Sequence, residues 1–282
     1  MGEALVKATA SGRPEALEAL VRRSAEAAAP WRTRAARSGG NPAVLATALP
    51  RLASARMTRL AVERTLASAA TGQVEGTVRL GRWSGLLIQS LFFGRGLTRR
   101  PVPMRAFRWV WPLVTRKRLL MPLVQPRGIW CFYSLELVRG LATLLEGRPS
   151  LEVAAGDGTL ARFLRAAGAD VRASDDQSWA RPDGYPPDVE RLDAVEAVAR
   201  HRPGAVLCSF PPPGNGFERR LLASPGLELY LVVTSRHRHA AGDWAAYERQ
   251  TAFDWSIDEG LSRLVLPPEL DPAVLVFRRR GA

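Results

Sequence analysis

The sequence predicts an α/β fold: a mostly parallel sheet with helices on both faces, an antiparallel C-terminal hairpin, and a mainly helical region ahead of it. Three observations carry that expectation. From residue 151 onward short apolar runs alternate with helical patterns. Glycine, proline and aspartate bound those runs. The first 128 residues lack the alternation and are rich in alanine and arginine.

The elements follow in order. Pro14 starts a run of good helix formers in which Leu17, Leu20 and Val21 recur at helical spacing. Asn41 and Pro42 read as the cap and first turn of a second helix. Pro50 reads as its end or bend, and Leu52, Leu60, Val62 and Leu66 as a resumed pattern up to Gly72. Residues 1–72 are therefore expected to form two or three helices. From Gly72 to Gly128 the chain mixes glycine, aromatics and arginine, with Phe107, Trp109 and Trp111 interleaved with Arg105, Arg108, Arg116 and Arg118. Two readings stay open there: bases stacked on the aromatics with guanidinium groups on phosphates, or a small aromatic core whose cations stay in water. A membrane-surface helix is a third, weakened by Pro101, Pro103 and Pro112. Ser134 then caps a helix running to Glu146, with Gly147 as its stop. Beyond it the expected strands are 151–154, 170–173, 205–208 and 229–233, and the expected helices 160–167 and 194–200. Residues 261–266 and 273–277 are expected to form the terminal hairpin around Pro267 and Pro268. The chain thus divides into a basic, mainly helical cap or acceptor-selecting region, 1–128, and a sheet domain, 129–282.

Composition narrows the function. Hydrophobic residues make up 46% of the 282 and charged ones 24%, the balance of a folded globular chain rather than a disordered or membrane-spanning one. The longest apolar run, Trp83 to Gly94, contains Gln89 and is too short to cross a bilayer, so no integral membrane segment is expected. The net charge is +13, and its excess sits in front: residues up to Gly147 carry +15 and the remainder −2. That front fits an anionic partner, with nucleic acid an open choice, or simply a solvated arginine face. Cys131 and Cys208 alone exclude a disulfide scaffold, and the N-terminus lacks a secretory pattern, so a cytoplasmic setting is expected. Three histidines and two distant cysteines give no metal-ligand spacing, and no metal is expected.

The chemistry concentrates at Leu151-Glu152-Val153-Ala154-Ala155-Gly156-Asp157-Gly158-Thr159-Leu160. A strand that ends in small residues and turns straight into a helix lets a ligand approach the backbone and aims free N–H groups at it. Asp175, just past the next strand, is placed to accept bonds from two ribose hydroxyls, with Asp176 as a close substitute. Two strand ends therefore converge on a nucleoside, in a Rossmann-like arrangement.

In these residues the sequence resembles the class I S-adenosylmethionine-dependent methyltransferases. Glu152, Ala154, Gly156 and Gly158 occupy the family's first motif, an acid followed by alternating glycines, with alanine in place of the first glycine. The resemblance covers about residues 130–277. It implies Asp175 at the ribose and Asp193, followed by Ala194, near the adenine. Ser209-Phe210-Pro211-Pro212-Pro213-Gly214-Asn215 corresponds loosely to the fourth motif, but no aromatic follows the prolines, which separates it from members that methylate exocyclic amino groups. Each residue also has a plainer reading: Asp193 with Glu196 as a helix cap, Asp175 and Asp176 as turn residues, and Glu152 as a strand-end carboxylate with a local partner rather than one that fixes the cofactor's methionine end or the loop.

S-adenosylmethionine brings its methyl group already activated, so the protein must align the acceptor, exclude water and, for a protonated acceptor, remove a proton. For that base the candidates are His237 or His239, with Tyr133 and Asp243 further off. The expected acceptor is a small molecule or peptide, since Trp130, Phe132, Tyr133 and Phe210 suit an enclosed apolar pocket. An RNA or protein acceptor reached through the basic region, a nicotinamide-dependent oxidoreductase using the GxGxxA formed by Gly156, Gly158 and Ala161, and a non-catalytic binding subunit stay open. Oligomeric state is not legible.

Overall fold

The computed structural model describes residues 14–39, 41–71, 81–94, 98–179 and 184–281. Two compact units divide the chain, Met1–Ala69 and Ala70–Ala282. In the first, α1 (Pro14–Arg37) and α2 (Pro42–Thr71) are the two expected helices. Leu17 and Val62 are buried together, with Leu20 and Val21 against them. Pro50 does not end α2, which runs through it, as α1 runs through Pro30. The side chains of Leu60 and Leu66, and Gly72 itself, lie outside the described residues.

In the second unit α3 (Arg82–Phe92), α4 (Met104–Val110) and α5 (Leu120–Val124) precede the sheet. They belong to the same core as it, because Ile88, Leu91, Phe92, Phe107 and Trp111 are buried in one cluster with Phe132, Leu137 and Leu141. The division between compact units falls at residue 69. Phe107 and Trp111 stack at 5.1 Å in that core, whereas Trp109 points to solvent. Strand β1 (Phe132–Tyr133) leads into α6 (Leu135–Leu145), capped by Ser134, whose Oγ accepts the Leu137 N–H at 2.9 Å.

Then come β2 (Ser150–Val153), α7 (Thr159–Ala166), β3 (Val171–Asp175), β4 (Val189–Arg191), α8 (Ala194–His201), β5 (Ala205–Ser209), α9 (Phe217–Leu222) and β6 (Leu229–Ser235). After these lie α10 (Trp244–Arg249), β7 (Phe253–Ile257), α11 (Glu259–Ser262), β8 (Val265–Leu266) and β9 (Pro272–Arg279). The seven-stranded sheet has the order β4-β3-β2-β5-β6-β9-β7. Its first five strands are parallel, and β9 runs antiparallel to both neighbours. Alternate residues serve opposite faces: Ala205, Leu207, Leu229 and Leu231 pack towards α6 and α7, while Val206, Cys208, Tyr230 and Val232 pack towards α8, α9 and α10. The fold is thus a Rossmann-like α/β sheet preceded by helices. Its antiparallel pair differs from the expected one. Asp258 Oδ1 caps α11 by accepting the Leu261 N–H, so residue 261 is helical. Val265–Leu266 pairs with β1, and the partner of β9 is Phe253–Ile257.

Candidate functional site

In an open parallel sheet, ligands bind beyond the carboxyl ends of the strands, where the strand order reverses. Here that point lies between β2 and β5, the neighbours from which the chain proceeds in opposite directions. A cavity of about 640 Å³ opens there. The tips of β3, β2 and β5 each carry a non-glycine residue in the left-handed region: Gln177 at φ 58°, Ala154 at 49° and Phe210 at 52°. Such positions are costly for non-glycine residues and cluster at functional sites in proteins, which makes these tips the candidate site.

The glycine turn is held from two sides. Glu152, 1% exposed, accepts the Ala161 N–H at 2.7 Å and so satisfies a free donor in the first turn of α7. Burial raises its carboxyl to about 8, against the lowering effect of that bond. Asp175 accepts the Gly156 N–H at 2.9 Å through Oδ2 and the Gln177 N–H at 2.8 Å through Oδ1. Burial raises this carboxyl too, and the two bonds pull it back. Gly158 stands at φ 64° as the residue before α7, and a β-carbon on it would meet Val189 Cγ2 at 2.7 Å. It closes the turn against β4 but does not line the cavity.

The other expected residues fall as follows. Ala154, Gly156, Asp175 and Glu152 line the cavity, as do Asp176, exposed at its rim, and Asp193. Asp193 also caps α8, its Oδ1 accepting the Val195 and Glu196 N–H groups at 2.7 and 2.9 Å. Ser209 Oγ lies 2.8 Å from Tyr133 Oη and 3.6 Å from Cys131 Sγ. Burial drives the Tyr133 phenol well above its ordinary range and the Cys131 thiol to about 11, which favours the protonated form of both. His237 does not reach the cavity: its backbone N–H meets Ser235 Oγ, and its ring nitrogen lies 4.0 Å from Asp271. His239 and Asp243 do not line the cavity either, and Asp243 caps α10.

Sequence reasoning missed Arg99. This buried guanidinium lines the cavity, pairs with Asp157 in the glycine turn, and leaves Nε without a hydrogen-bond partner. Burial alone would lower its pKa, but the Asp157 carboxylate outweighs it and the net shift is upward. No local pattern announces a residue so far upstream of the turn. A second finding concerns charge. In a chain of net +13, the cavity wall carries five carboxyl groups (Glu152, Asp157, Asp175, Asp176, Asp193) and two guanidiniums (Arg99, Arg220). The pocket is acidic inside a basic protein.

Among solved structures, human N-acetylserotonin methyltransferase in complex with S-adenosylmethionine aligns over 99% of this chain and 98% of its own, at 13% identity and a TM-score of 0.29. Superposition that loose carries no functional weight. No family model and no curated protein matches the chain.

Proposed function

We propose that the chain is an S-adenosylmethionine-dependent methyltransferase acting on a small-molecule or peptide acceptor. The acidic lining carries the reading. A ligand with an ammonium and a sulfonium suits a wall on which, with Glu152 protonated at neutral pH, four carboxylates outnumber two guanidiniums, whereas the pyrophosphate of a dinucleotide would be repelled by it. The sheet points the same way, since the position next to β6 is held by the reversed strand β9 and not by the sixth parallel strand of the dinucleotide-binding order. The cavity's volume lies within the range of small-molecule sites.

The residues fit the cofactor group by group. Arg99 would take its carboxylate and the carboxyls around the glycine turn its ammonium. Asp175 and Asp176 would take the ribose hydroxyls, and the first turn of α8 after Asp193 the adenine edge. When bound, S-adenosylmethionine supplies a methyl group already activated by its sulfonium. This chain's own work is then alignment and water exclusion. Ser209 and Tyr133 form a neutral hydroxyl pair that can hold the acceptor's reacting atom, and Phe210 to Pro213 wall off its apolar body.

Titration calorimetry with S-adenosylhomocysteine and with NAD is the test. The expected result is binding of the former, at least about tenfold weaker in Asp175→Ala, where two charge-assisted bonds are lost, and no heat from NAD. Binding of NAD without binding of S-adenosylhomocysteine overturns the reading.

A further inference from the structure

The helical layer ahead of the sheet has two faces with opposite characters. Inward it presents Ile88, Leu91, Phe92, Phe107 and Trp111 to the core. Outward it exposes Trp83 at 81%, Trp109 at 82%, Leu113 at 67% and Leu86 at 59%. These four are the most exposed large apolar side chains described in this unit. They lie on elements that pack together: Ser84 Oγ lies 2.8 Å from Thr115 Oγ1 and accepts the Thr115 N–H at 3.1 Å, fixing the first turn of α3 beside the segment that follows Leu113. Helix α4 packs on α3 through Phe107 and Phe92, whose rings are 6.3 Å apart. Large apolar groups clustered in water mark an interaction surface.

The charge around them defines the partner. Between Glu75 and Glu136 the sequence holds eleven basic residues and not one acid. Arg105, Arg108, Arg116 and Arg118 are exposed on α4 and the turns after it, and none makes an ion pair among the described residues. Tryptophans that stand out from a surface together with leucines and arginines have the composition of a membrane-interface segment: indole rings settle at headgroup level, leucine enters the acyl boundary and guanidinium groups meet phosphates. A nucleic acid would use the tryptophans and arginines but gives the two leucines nothing to bury against. No described helix is long and apolar enough to cross a bilayer, so contact would be at the surface.

We propose that the exposed face of α3 and α4, anchored by Trp83 and Trp109 and ringed by Arg105, Arg108, Arg116 and Arg118, docks on an anionic phospholipid bilayer. This inference does not depend on the reaction catalysed. Cosedimentation of the full chain with phosphatidylcholine vesicles, with and without 30 mol% (about one lipid in three) phosphatidylglycerol, tests it, since each cation near such a surface changes partitioning about fivefold. Binding should require phosphatidylglycerol and weaken with salt. It should fall more than about tenfold in Trp83→Ser/Trp109→Ser and by about 25-fold in Arg105→Gln/Arg108→Gln. These side chains lie in water, so thermal unfolding of the variants should match the parent and show that folding is intact. Absence of vesicle binding, or binding that survives Trp83→Ser/Trp109→Ser unchanged, overturns the proposal. So does a single-stranded RNA that binds the parent more tightly than the vesicles and loses that binding in the same variant.

Discussion

Replacing Glu152 by glutamine isolates one buried charge from the rest of the chain. The carboxyl is 1% exposed and titrates at about 8, whereas in an unfolded chain it returns to about 4.5. Between those values the folded state holds a proton that the unfolded state releases. The stability linked to it is therefore complete below about pH 4.5, declines through the window, and is gone above about pH 8. Each pH unit inside the window is worth about 1.4 kcal/mol, so moving from about pH 5.5 to about pH 7.5 removes about 3 kcal/mol. For a unit of this size that is roughly 6–12 °C in Tm. Glutamine keeps an oxygen for the Ala161 N–H and cannot ionise. Thermal unfolding of parent and Glu152→Gln across this range at fixed ionic strength should give curves that diverge by about that amount, the variant gaining on the parent as pH rises. Curves that stay parallel would mean that Glu152 is ionised in the folded protein, and the account of the glycine turn would fail.

Other expectations follow from the same region. Gly158→Ala places a methyl group 2.7 Å from Val189 Cγ2 in a left-handed backbone. Urea unfolding should show a loss of about 2–4 kcal/mol, smaller when Val189→Ala makes room. Ala154→Gly relieves the positive φ at the neighbouring tip and should stabilise by about 0.5–1 kcal/mol in the same assay. Asp157→Asn strands the buried Arg99 guanidinium and should cost about 3 kcal/mol in that assay, with weaker binding of S-adenosylhomocysteine by calorimetry. Tyr247→Phe removes one donor from buried Glu218 and should cost about 1–3 kcal/mol by denaturant titration.

The parallel core was legible because its strands are short apolar runs, covered on both faces and bounded by breakers, so length and flanks gave them away. Val189–Arg191 was not: a three-residue edge strand with one buried side chain has no periodicity to read. The edge pair at the other end was misplaced although Phe253, Trp255 and Ile257 alternate with polar residues at strand spacing. Residues 261–266 form an apolar run of strand length, but the Asp258 cap draws Leu261 and Ser262 into α11 and leaves only Val265–Leu266 as a strand, paired with β1. At the site, the residues flanking the glycine turn were visible because the turn's chemistry is local. Arg99 and the Tyr133–Ser209 pair arise from contacts between segments far apart in sequence, and no spacing rule reaches across such gaps. Pro50 shows the opposite limit. Its rule is sound for a helix considered alone, yet α2 continues through it.

Glu218, buried beneath the proline-rich loop, receives hydrogen bonds from Tyr230, Tyr247, Asn215 and the Asp243 amide. One carboxyl thereby rivets β6, α10 and the start of α9 to the same point under the cavity floor. The opposite rim is tied more lightly: Trp130 and Trp179 meet edge to face at 6.0 Å and remain half in water. Traffic in and out of the crevice should accordingly pass on the indole side, with the riveted loop as the fixed wall opposite. Amide exchange should rank the two walls in that order, fast around Trp179 and slow at Glu218.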